Sequence, residues 1–93
     1  MSLTTGQQQY EEFVTELLAD ERPRLFAVLR EFGTHQDAEV AAWGMAWPDR
    51  AELVSPNGRV RMRSESPERA LRVFGRGEDV SARLVWVDAD PAS

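Results

Sequence analysis

The chain has 93 residues, 42% of them hydrophobic and 29% charged, with a formal net charge of −5. That length excludes two independent cores, and a chain so short buries only about 60% of the surface its unfolded form exposes, which makes self-association an expected source of extra stability. The absence of Cys excludes disulfides, thiol nucleophiles and thiolate metal sites, and the negative balance argues against general nucleic-acid binding.

Met1 to Gln9 has no basic start followed by an apolar run, and no uncharged apolar stretch approaches the roughly 18 residues of a membrane span. A cytoplasmic protein without membrane contact is therefore expected. All 11 basic residues are Arg, which is read as GC-rich, bacterial coding rather than a demand for bidentate donors. Charge is uneven along the chain: the first 22 residues hold five acids and one Arg, whereas Arg59 to Arg76 holds six Arg against Glu65 and Glu68.

Tyr10, Phe13, Val14, Leu17 and Leu18 recur at offsets of three and four among polar residues, the pattern of an amphipathic helix. Leu25, Phe26, Val28, Leu29 and Phe32 continue nearly in phase, with Pro23 between the two sets and Gly33 as an αL stop. The spacing predicts one long helix kinked at Pro23, or two helices with Asp20 capping the second, and in either case an apolar stripe that needs a sheet beneath it.

From Ala38 to Trp47 the period becomes two. Ala41, Trp43, Met45 and Trp47 point one way and Val40, Ala42, Gly44 and Ala46 the other, as in an interior strand. Ala51 to Ser55 reads as a second strand, Pro56-Asn57-Gly58 as a hairpin turn, and Arg59 to Ser64 as a third strand. The even-length loop sets Ser55 opposite Val60, Leu53 opposite Met62, Glu52 opposite Arg63, and Val54 beside Arg61. Ser66, Pro67 and Glu68 start a short helix with Ala70, Leu71, Val73 and Phe74 on its apolar side and Gly75 at its end. Val80 to Val87 is the last strand. Residues 1–6 and 88–93 are expected to fray.

The expected architecture is an α+β two-layer fold, with the long N-terminal helical segment and the short helix packed on a four-stranded, mainly antiparallel sheet. The expected strand order is 4-1-2-3, which leaves the Arg-rich third strand at an edge.

No constellation marks an enzyme. His35 with Asp37 and Glu39 alternates in a way that suits a metal, but three polar residues in a loop are the ordinary makeup of a solvated connection, so no metal or cofactor is expected. Gly75-Arg76-Gly77 follows a helix and precedes a strand, the reverse of a phosphate-binding loop. The residues that stand out are apolar. Trp43, Met45, Trp47 and Trp86, with Tyr10, Phe13 and Leu17 of the first helix, are the expected surface for a protein partner or a second copy of the chain. Two alternatives stay open: an anion or nucleic-acid site through Arg59, Arg61, Arg63, Arg69 and Arg72, and a small-molecule pocket lined by the three Trp.

Overall fold

A computed structural model describes residues 4–34, 36–75, 77 and 79–88. The chain begins with helix α1 (Thr5–Glu21), which Thr4 caps: its hydroxyl accepts from the Gln7 N–H while the Gln7 side chain accepts from the Thr4 N–H. This reciprocal cap is why Thr5 and Gly6, expected to fray, are helical. The helix stops at Glu21 because Arg22 precedes Pro23, and the proline ring disfavours the α region for the residue before it. Arg22 is extended, with φ −62 and ψ 124.

The second helical stretch expected from the spacing is a strand instead. Residues Arg24–Phe32 form β1, paired on one side with β2 (Asp37–Trp47) and on the other with β5 (Val80–Trp86). A strand flanked on both sides can be apolar on both faces, and such a run has no period of its own to tell it from a buried helix. Gly33 does take the left-handed conformation, φ 67, but in the turn between β1 and β2.

The remaining strands are β3 (Arg50–Val54) and β4 (Arg61–Ser64), followed by helix α2 (Pro67–Phe74). The sheet is antiparallel with order β4-β3-β2-β1-β5, so the α+β class stands with five strands instead of four. Removing β1 from that order leaves the expected sequence of the other four. The β3–β4 register is the expected one, with Leu53 opposite Met62, Glu52 opposite Arg63 and Val54 opposite Arg61. The Ser55 N–H donates to the Val60 carbonyl at 2.8 Å and closes the hairpin.

One face of the sheet carries the core. Phe26, Val28, Ala42, Ala51 and Leu53 are buried there beneath Ala70 of α2, with Leu71, Phe74, Met62, Leu84 and Trp86 around them. Ser66 caps α2 by accepting from the Arg69 N–H, and Pro67 occupies its first turn, as expected. Val73, expected on the apolar side, is exposed. The β1–β2 ladder shifts between Val28 and Leu29, and the extra residue turns Ala41 toward the core cluster and away from Trp43.

Phe26 and Gly44 are opposite one another on β1 and β2, and the Phe26 ring occupies the space above Gly44. A Cβ on Gly44 would lie 2.6 Å from ring carbons Cε1 and Cε2 of Phe26. Gly44→Ala is therefore expected to lower the unfolding free energy by about 1 to 3 kcal/mol through overpacking. Gly6→Ala, which meets nothing within 4 Å, should cause no loss in the same urea titration.

Candidate interaction surface

The two faces of the sheet are treated unequally. On the face opposite α2, Leu25, Ala27 and Leu29 of β1 stand beside Trp43 and Met45 of β2, Val54 of β3 and Val85 of β5, by the pairing of the strands. Ala27 is only 5% exposed because its two cross-strand partners are Trp43 and Val85, which close over it. Trp43 and Met45 themselves are 40% and 43% exposed. Between them runs an open groove of about 610 Å³ lined by the apolar Leu25, Trp43, Met45 and Val54, by Glu52 of β3 between Met45 and Arg63, and by Arg61 and Arg63 on the edge strand.

The apolar stripe of α1 predicts that the helix covers such a surface, and it does not. It has no buried residue and makes no substantial packing contact with the sheet. Tyr10, Phe13, Leu17 and Leu18 are all exposed, Tyr10 by 63%. The radius of gyration is 17.9 Å, against about 12 Å for a compact chain of this length, and the longest dimension is 61 Å. A 17-residue helix is about 25 Å long, which accounts for much of the excess.

The junction that aims α1 is held by the far end of the chain. The Leu25 N–H donates to the Asp88 carboxylate at 2.8 Å, and the Arg22 guanidinium reaches the same oxygen at 3.1 Å. The N–H groups of Val87 and Asp88 both donate to the Leu25 carbonyl. Asp88, expected to fray, is thus a tie between β1, β5 and the helix exit. Residues 89–93 of the expected tail lie outside the described residues, as do residues 1–3.

The three Trp do not share one neighbourhood. Trp86 belongs to the core face, its ring set edge-on to Phe26 at 5.5 Å with the Arg24 guanidinium 3.9 Å from its centre. Trp47 is half-buried on the open side under the Arg50 guanidinium, 4.3 Å from the ring centre. Trp43 alone of the three lines the groove. Trp86 therefore drops out of the expected interaction set, because alternation along β5 turns it with Leu84 toward α2. Trp43 and Met45 remain together, and Tyr10, Phe13 and Leu17 remain exposed on α1.

The Arg set divides in the same way. Arg61 and Arg63 stand on the rim of the groove, and neither has a carboxylate within ion-pair distance among the described residues. Arg59 precedes the strand, in the loop where its N–H donates to the Asn57 side chain. Arg69 and Arg72 ride on α2, across the sheet, and Arg69 is paired with Glu65 at 2.6 Å. No single patch of five forms. His35 and Arg76 lie outside the described residues. Glu39, considered beside His35 as a ligand, is paired with Arg30 at 2.6 Å, and the Asp37 carboxylate accepts from the Ala38 N–H.

Leu25, Val54, Ala27 and Val85 complete the apolar face without having been singled out in the sequence. The signal was the period-two reading of 24–31, in which Leu25, Ala27 and Leu29 alternate with Phe26 and Val28. It was hidden by the equally good helical spacing.

Trp86→Ala should destabilise the fold by about 3 kcal/mol, the scale of emptying an aromatic site in a core, whereas Trp43→Ala, which uncovers only Ala27, should cost about 1 kcal/mol and weaken binding of a fluorescent apolar dye. Chemical denaturation and dye fluorescence read both. No family model, no curated protein and no solved structure matches this chain.

Proposed function

We propose that the protein is a non-catalytic interaction module that associates with itself, through the open sheet face around Trp43 and Met45 and the stripe of Tyr10, Phe13 and Leu17 on α1. One observation carries this reading: a chain with a small core leaves two separate apolar surfaces uncovered, one on a helix and one on a sheet. Exposed apolar patches of this extent mark binding surfaces in stable proteins. The groove lining is mainly aliphatic and aromatic, with Glu52, Arg61 and Arg63 as its charged members. No helix among the described residues is long and apolar enough to cross a membrane.

A second reading rests on Arg61 and Arg63, two neighbouring guanidinium groups without an ion partner among the described residues, on the groove rim. They suit an anionic ligand, and Arg61→Ala with Arg63→Ala should then remove a binding signal that weakens steeply with salt.

Sedimentation across a hundredfold concentration range tests the first reading. The apparent mass is expected to rise with concentration toward a dimer, and Met45→Glu should return it to the monomer. A monomeric wild-type chain at every concentration, with no bound dye, overturns self-association.

A further inference from the structure

The two uncovered surfaces are of similar length and carry opposite excess charge, and this extends the self-association proposed above to a specific geometry. With about 100° between successive residues, Phe13, Leu17, Tyr10, Val14 and Leu18 cover about 140° of the α1 circumference. Glu16 and Asp20 border that stripe on one side and Glu11 on the other. From Tyr10 to Leu18 the stripe is about 12 Å long. The groove runs from Leu25 on β1, across β2 and β3, to Arg61 on β4, a span of about 14 Å at the usual strand spacing.

Charge chooses among the ways of pairing these surfaces. Two α1 helices laid together gather the acids Glu11, Glu16 and Asp20 of both copies, and two sheet faces stacked together gather four Arg against two Glu52. Helix on sheet instead sets the acidic border of α1 against Arg61 and Arg63, whose charge outweighs that of the neighbouring Glu52. We propose that the open sheet face of one copy receives α1 of a second copy, and that the exchange is reciprocal, with a two-fold axis between the copies.

The junction explains why the helix of another copy is the occupant. Only Arg22 and Pro23 separate α1 from β1, proline fixes one backbone angle, and Asp88 holds both Arg22 and the Leu25 N–H. Short restrained connections of this type direct an element outward and favour its exchange between protomers. The apolar side chains left open on each copy amount to roughly 600 Å², so a reciprocal pair buries on the order of 1,200 Å², within the range of specific interfaces.

The test uses two full-length double variants, Glu16→Arg with Asp20→Arg on the helix and Arg61→Glu with Arg63→Glu on the face. Each alone should weaken dimerisation roughly tenfold, and mixing the two should restore it to within about threefold of wild type, since both contacts of the mixed dimer pair opposite charges. Sedimentation equilibrium reads the constants. A second measurement uses the Cys-free background: Leu17→Cys chains mixed with Met45→Cys chains and oxidised should give a covalent heterodimer. Wild-type dimers that ignore both charge reversals, or oxidation that joins only like with like, overturn helix exchange and leave self-association standing. An intrachain disulfide in a chain carrying Leu17→Cys and Met45→Cys together likewise overturns helix exchange, and a wild-type monomer overturns both.

Discussion

Apolar side chains stand on both faces of this sheet, whereas among the described residues only one eight-residue helix lies against it. Phe26 and Val28 of β1 are sealed beneath α2, while Leu25, Ala27 and Leu29 of the same strand look out on the other side. Side chains of a strand alternate between the two faces, and in β1 both alternating sets are apolar. The two faces of the sheet are therefore unequal: one is covered by α2 and the other carries the exposed Trp43 and Met45.

The natural cover, α1, is turned away by the two residues that join it to the sheet. Pro23 ends the helix one residue ahead of itself, and Arg22 leaves in an extended conformation that Asp88 stabilises by an ion pair. Surface ion pairs contribute little individually, but the Asp88 carboxylate also accepts the Leu25 N–H, and such a charge-assisted bond at a partly buried site is stronger than an exposed pair. The N-terminal helix is thereby an outstretched arm with an acidic border and an apolar stripe. Its own sheet presents the matching pattern, an apolar floor with an Arg rim, in a place the arm does not occupy.

Charge alternation along β4 has two consequences. A short edge strand bearing Arg61 and Arg63 resists sheet-to-sheet association, which protects an otherwise open edge. The same two side chains line the groove beside Glu52 and give it a net positive charge. The first 22 residues carry the opposite surplus, five acids against one Arg, which is the charge contrast on which the proposed pairing of copies rests.

Local chemistry determined a good part of this architecture. The Ser66-Pro67-Glu68 start of α2, the turn at Asn57-Gly58, the register of Leu53 on Met62 and the edge position of the Arg strand were all readable, because caps, turns and cross-strand pairs depend on residues close in sequence. The apolar stripe of α1 and the pairing of Trp43 with Met45 on one strand face were readable for the same reason. Tertiary structure alone decided that 24–32 is a strand, since its apolar residues satisfy both periods and only partners on either side choose between them. It alone separated Trp86 from Trp43, placed Arg69 and Arg72 across the sheet from Arg61 and Arg63, and left α1 without a floor. Those outcomes depend on which elements become neighbours in space, and neighbours far apart in sequence leave no periodic mark on one another.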